Sequence, residues 1–529
     1  MNPPSRAFLA ILLATGCSSG AGVEYDLNLI PITPGNQSPF TDLDRLTLTL
    51  EPAAGASQSF DLAAVTGSPQ VLNLGPLEET RVAIEGYIGD DLVTFGRSTP
   101  ITIDSDTYTE NVLVSDVDSF GWLNVMVDGV THGAAAPDGA GSFYLFGGSS
   151  GLNSRGEHVY DSIISLTVAP PNDSLAFEEL NVSMPEYQSD YSEETQSERM
   201  GHTATLLTGT GPNAGQILIA GGLAAPYDLS TTTYAASLFD PVTQEFTEIR
   251  DGMASSRAHH LAVVNNQGDV VMIGGWGSTD PDHLVTRDSA EVYNRASGAF
   301  ESISGGLPGD GLYAGAASLG ADGVLVCGGA ELLGGTWAAV DDCVIITVAN
   351  TIVPVESLPE RLSNLAMVSI GEGKVLATGG LQVDPSDNLA LQFASIDASR
   401  SAYVYDSRSD SWTQVDDMAF PRAYHAATPL PGGRALIIGG AMRGELFYAD
   451  ASDDGGPGLA CVEIFNPDGS FELLDDCSES SGTSTLPTRN HWPTVAVDPV
   501  YGTLVVGGTG TDIKGLASAS LWVSAPEGR

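Results

Sequence analysis

Arginine and histidine recur at one spacing along this chain. Arg199 precedes His202, Arg257 precedes His260 and Arg422 precedes His425, and Arg361 has Asn364 in the histidine's place. Tyr424 sits beside the last of these histidines, and Arg489, His491 and Trp492 form a related cluster further on. Other active-site signatures are missing: the sequence has no G-x-S-x-G elbow, no HExxH pair and no phosphate-binding glycine loop. The cysteines offer structural chemistry instead. With Cys17 set aside, Cys327 to Cys343 and Cys461 to Cys477 are both gaps of sixteen residues. Such local pairs fit disulfides between neighbouring antiparallel strands, each adding about 3 kcal/mol by restricting the unfolded chain. Four buried free thiols are the alternative. No CxxC or Cys/His cluster accompanies them, so no metal is expected.

The elements that position these residues belong to a large, acidic chain. Over 529 residues, 67 Asp and Glu oppose 20 Lys and Arg, a formal charge of −47. That balance excludes a general nucleic-acid binder, which needs a basic footprint. It also excludes docking on anionic lipid through the protein surface. With 42% hydrophobic residues, 62 Gly and 30 Pro, the composition is globular and rich in turns rather than disordered. A soluble, self-repelling and monomeric protein is expected.

Residues 7–15, AFLAILLAT, are a short apolar run behind Arg6, too short to span a bilayer. The run leads into Ala14-Thr15-Gly16-Cys17, which resembles a bacterial lipoprotein signal in which the cysteine thiol is acylated. The resemblance implies a leader at 1–16, a lipidated linker at 17–22, and export to the outer membrane, facing the periplasm or the surface. An even cysteine count in the remainder agrees with an oxidising compartment.

An internal repeat dominates the rest. Seven apolar runs, FYLF, ILIA, VVMI, VLVC, VLAT, ALII and TLVV, each lead into a glycine pair. The pairs are 147/148, 221/222, 274/275, 328/329, 379/380, 439/440 and 507/508. Continuous apolar runs of this length predict strands buried on both faces. Downstream come aromatic pairs six or seven residues apart: Phe239/Phe246, Tyr293/Phe300, Tyr405/Trp412 and Phe465/Phe471. In this combination of Gly-Gly, Tyr-Asp or Tyr-Asn, and a spaced Trp or Phe, the chain resembles the kelch family of β-propellers over roughly residues 120–526. The fourth repeat departs furthest, with Gly315 where the histidine sits in other repeats and Ile352-Val353 replacing the last aromatic.

The resemblance implies an all-β fold, a seven-bladed propeller over 119–529. Residues 119–127 are expected to close the ring by pairing with 519–525, which removes free strand edges. Residues 23–115 read as a separate β-sandwich, immunoglobulin-like or transthyretin-like, built from short alternating strands.

In a kelch-type ring, the loop into each first strand opens on the channel mouth. The resemblance therefore gathers Arg199, His202, Arg257, His260, Arg361, Asn364, Arg422, Tyr424, His425, Arg489, His491 and Trp492 there. One reading is a partly cationic funnel for an anionic or sugar-like ligand; the other is that these residues bond neighbouring blades. Arg422-Ala423-Tyr424-His425 also resembles the motif of copper radical oxidases of the galactose-oxidase kind, which implies an enzymatic alternative. The favoured expectation is a non-enzymatic module without cofactor, binding a protein or glycan. The acidic loops read as solvated carboxylates rather than calcium sites.

Overall fold

The computed structural model describes residues 7–13, 24–31, 40, 42–53, 55–62, 70–72, 77–98, 101–103, 107–123, 129–151, 158–167, 177–188, 195–225, 229–280, 283–303, 305–333, 336–382, 396–443, 458–474, 486, 490–498, 502–509, 516 and 518–523. The chain is all-β, and among the described residues its larger part forms a propeller with seven four-stranded antiparallel sheets. Blade 1 begins with the strand Ala134–Pro137, and blades 2 to 7 begin with Thr203–Leu206, Leu261–Val264, Gly315–Ser318, Ala366–Gly371, Ala426–Leu430 and Thr494–Asp498. These first strands touch in cyclic order, and blade 1 meets blade 7 to complete the circle.

Each apolar run is the second strand of its blade. Ile217–Ala220, Val270–Ile273 and Val324–Cys327 are buried at every position, as a strand packed between two neighbouring blades must be. The glycine pair that follows locks one blade to the next. The second glycine donates its N–H to a carbonyl of the following blade: Gly148 to Arg199, Gly222 to Arg257, Gly275 to Gly311, Gly329 to Leu362, Gly380 to Arg422, Gly440 to Asn490 and Gly508 to Val130. The last of these closes the ring. The first glycine has a left-handed φ, and a Cβ there would lie no further than 2.5 Å from that same carbonyl oxygen. Both positions therefore require glycine.

The aromatic pairs are direct cross-strand partners. Phe239 faces Phe246, Tyr293 faces Phe300, Tyr405 faces Trp412 and Phe465 faces Phe471, with ring centroids 5.1–5.3 Å apart. Each pair couples the third strand to the exposed fourth one by ring contact. Blade 4 places Ile346 opposite Ile352 at this register and carries a Cys327–Cys343 disulfide between directly opposed residues of its middle strands. Cys461 is also disulfide-bonded, and Cys477 lies outside the described residues.

Blade 7 takes its fourth strand from upstream of blade 1: Ser119–Leu123 runs antiparallel to Ala519–Val523. Phe120 stands opposite Trp522 with the rings edge to face, both fully buried. The N-terminal strands form one nine-stranded sheet, with Ile101–Ile103 branching off Leu77–Ile88. Its core joins Leu46, Leu48 and Leu50 to Val82, Ile84, Val112 and Val114. On the opposite face Ala83 and Phe95 pack into the cluster that includes Leu521 and Val523 of blade 7. Ala7–Leu13 is a strand of this sheet, between Glu24–Pro31 and Gln70–Leu72. Cys17 lies outside the described residues.

Candidate ligand-binding site on the propeller axis

Three of the arginines expected at the channel mouth are withdrawn into the junctions between blades. Arg257 is fully buried and donates to the Gly274 carbonyl (2.9 Å), the Ser289 carbonyl (3.1 Å) and Glu291 Oε1 (2.7 Å). Arg422 repeats the pattern with the Gly439 carbonyl (2.7 Å), the Cys461 carbonyl (3.2 Å) and Glu463 Oε1 (2.8 Å). Arg199 lies over the Tyr187 ring and donates to the Pro185 carbonyl. Each guanidinium thus ties its own strand entrance to neighbouring backbone, and none faces the channel. Arg489 lies outside the described residues; Asn490 takes the equivalent position and donates from Nδ2 to the Gly507 carbonyl at 2.7 Å. Arg361 is off the pattern by one residue, exposed and 3.7 Å from Asp341, because Leu362 fills the arginine position there. A cationic funnel does not form: the guanidiniums sit where bonding carbonyls and carboxylates offset their desolvation.

His202, His260 and His425 occupy the same junctions and border the axial cavity. His260 Nε2 meets Thr203 Oγ1 at 3.0 Å, and His425 Nε2 meets Thr378 Oγ1 at 2.9 Å, each bond crossing to the preceding blade. Burial, reinforced by the adjacent Arg199 or Arg422, lowers the pKa of His202 and of His425 to about 3. His260 is held well below its usual range by burial and the Arg257 charge. These imidazoles are neutral at physiological pH.

The mouth itself is built from a different set of residues. One residue per blade has a left-handed backbone just before the first strand: His132, Gly201, His259, Tyr313, Asn364, Tyr424 and Trp492, with φ between 46° and 62°. Main-chain hydrogen bonds run from one to the next around the channel. Gly201 donates to His132 (2.8 Å), His259 to Gly201 (2.7 Å), Asn364 to Tyr313 (2.8 Å), Tyr424 to Asn364 (3.3 Å) and Trp492 to Tyr424 (2.9 Å). Six of the seven are non-glycine residues held in a conformation they seldom adopt, a form of strain associated with functional sites.

The five rings among them, His132, His259, Tyr313, Tyr424 and Trp492, make an aromatic collar with Trp276, which follows the glycine pair of blade 3. Centroid distances are 4.5 Å for Tyr424–Trp492, 5.1 Å for Trp492–His132, 5.1 Å for His132–His259, 6.2 Å for His259–Trp276 and 5.8 Å for Trp276–Tyr313. His259 reaches across Gly201, where a Cβ would lie 2.8 Å from its Nε2, so the glycine makes room for the ring. Asn364 occupies the gap between Tyr313 and Tyr424. Burial lowers the His259 pKa to about 4 and holds His132 well below its usual value, so the collar is uncharged. The cavity it borders measures about 470 Å³, the size of a small-molecule site, and among the described residues no Asp, Glu, Lys or Arg lines it.

Asn364, Tyr424 and Trp492 were expected at the mouth and line the cavity. His491 is buried one position earlier, its backbone paired with Thr509. His132, His259 and Tyr313 belong to the collar and escaped the Arg-x-x-His reading. A usable signal exists: six of the seven collar residues lie fifteen positions before the first glycine of their blade's pair. Blade 2 alone has a longer interval, through the turn around residues 208–215.

No protein-family model and no curated protein matches this chain. Among solved structures, a fungal alcohol oxidase of the AA5 family in complex with copper is 16% identical with a TM-score of 0.50, over 77% of this chain and 75% of that one. The structure of YjhT is 14% identical with a TM-score of 0.44, over 67% of this chain and 99% of that one. Likeness at this level of identity extends to the fold alone. The described residues do not fit a copper ion: the Tyr424 ring lies tilted against Trp492, His425 Nε2 is engaged by Thr378, and no group of three His, Cys, Asp or Glu among them could hold a metal.

Proposed function

We propose that the chain is an exported, lipid-anchored binding protein that receives part of a protein or glycan ligand in the axial cavity, without catalysing a reaction. The observation that carries this reading is the aromatic collar, strained in backbone yet free of formal charge, on a chain with a large net negative charge. Aromatic faces on an uncharged cavity supply stacking area at little desolvation cost.

Anchoring is assigned to acyl chains on Cys17. Cleavage ahead of that cysteine removes Ala7–Leu13 and leaves Glu24–Pro31 at an edge of the N-terminal sheet. Cys17→Ala is expected to move the protein from the membrane fraction to the soluble fraction; retention in the pellet would refute the anchor.

The binding reading is tested by capture on a glycan array and from an envelope extract. Tyr313→Ala and Asn364→Ala, both at half-buried collar positions, should each weaken capture about tenfold while the urea midpoint changes little. Capture unaffected by either substitution places the ligand elsewhere.

A further inference from the structure

The collar also specifies the chemistry of the group it receives. Tyr313, Tyr424 and Trp492 line one cavity, together with His132 and His259, and the Tyr424 and Trp492 ring centroids are 4.5 Å apart. Negative ring faces attract a cation, by about 0.5 kcal/mol at exposed sites and 2 kcal/mol or more when the cation is desolvated. The field of the whole chain acts in the same direction, since a net charge of −47 concentrates cations and repels anions at every approach. Of the three arginines in the adjoining junctions, Arg257 is bonded to Glu291 and Arg422 to Glu463, while Arg199 lies over the Tyr187 ring and donates to the Pro185 carbonyl. They do not line the cavity.

The kind of cation follows from what the lining lacks. A primary ammonium brings three N–H donors and is best met by a carboxylate, and the described residues that line the cavity include none. A guanidinium brings five donors and meets the same deficit. A fully alkylated nitrogen has no N–H to satisfy and needs only polarisable faces, which is what the collar provides. We infer that the axial cavity binds a quaternary ammonium group against the rings of Tyr313, Tyr424 and Trp492. This rests on the binding reading above and names the part of the ligand that enters.

Titration calorimetry on the full chain tests it with choline chloride and with 3,3-dimethylbutan-1-ol, which has the same shape with carbon in place of the charged nitrogen. Choline should bind at least tenfold more tightly. Equal affinity for the two, or binding of glucose and not of choline, overturns the inference. Tyr313→Ala should weaken choline binding severalfold with an unchanged urea midpoint, and Trp492→Phe, which keeps a ring, should weaken it less than Trp492→Ala. Equal losses from the two Trp492 substitutions count against a cation held by ring faces. Phosphatidylcholine vesicles, compared with free choline, then separate a lipid headgroup from a soluble source. If choline fails while array capture is lost on Tyr313→Ala, this inference falls and the binding reading stands; if capture also survives that substitution, both fall.

Discussion

Gly274→Ala is expected to cost at least 4 kcal/mol and to leave little folded protein at 37 °C. Gly274 holds φ at +63°, and its would-be Cβ overlaps the Gly311 carbonyl oxygen, which is backbone and cannot swing aside. The left-handed conformation alone costs about 1–2 kcal/mol for a residue with a Cβ. Relieving the overlap means pushing blade 4 away from blade 3. That strains the hydrogen bond from Gly275 N–H to the same oxygen (3.1 Å), one of the seven that lock the ring. A ring closed on itself cannot open one junction without disturbing the others. Gly371→Ala is the control: φ there is +84°, yet no atom lies within 4 Å of the added Cβ. It should lose only the conformational part, about 1–2 kcal/mol. Urea unfolding of both variants measures the difference, and similar losses would refute the lock.

The same comparison explains how much was legible in the sequence. Glycine pairs and spaced aromatics are visible because the geometry admits so few residue types. Only glycine tolerates both the left-handed φ and the neighbouring carbonyl, and only a ring spans the third and fourth strands as Tyr293 and Phe300 do. The collar is fixed by backbone conformation, which His132, Gly201, Tyr313 and Trp492 share without sharing a side-chain type. Reading letters at constant spacing therefore shifted the register by one residue in blades 4, 5 and 7, and in blade 4 Ala314, not Gly315, holds the histidine position. Arg361 and Asn364 mimic Arg257 and His260, but Asn364 holds the collar position and Leu362 the arginine position. Arginines cannot be sorted into mouth and junction by sequence either. Their place is decided by Glu291 and Glu463, each more than thirty residues downstream on a third strand.

Those junction charges bear on the histidines, and the second large effect is a steep loss of stability in mild acid. Five of the eight histidines, His132, His202, His259, His260 and His425, have pKa values pushed below 6.5, chiefly by burial. Their surroundings resist protonation further: Arg199 faces His202, Arg257 faces His260, Arg422 faces His425, and His259 faces His132. In the unfolded chain each histidine takes up its proton near pH 6.5. Between there and the folded values of about 3 to 4, the unfolded state holds more protons, so stability falls as pH falls. Above about pH 7 the contribution is complete and flat. Each histidine gives up to about 1.4 kcal/mol per pH unit within the window, and several titrating together make the loss steep. Asp116 and Asp138, whose pKa values burial raises, work in the opposite sense nearer pH 4 and only blunt the lower end. Urea midpoints at pH 7, 6 and 5 should therefore decline progressively. His425→Gln, which keeps a polar atom for Thr378 but does not titrate, should flatten the pH 6 to 5 slope by about one proton, or 1.4 kcal/mol per unit. A midpoint that stays constant from pH 7 to 5 would mean that the junction histidines take up their protons in the folded protein over the same pH range as in the unfolded chain. The uncharged collar would then lose its basis as well, because His259 and His132 share that burial.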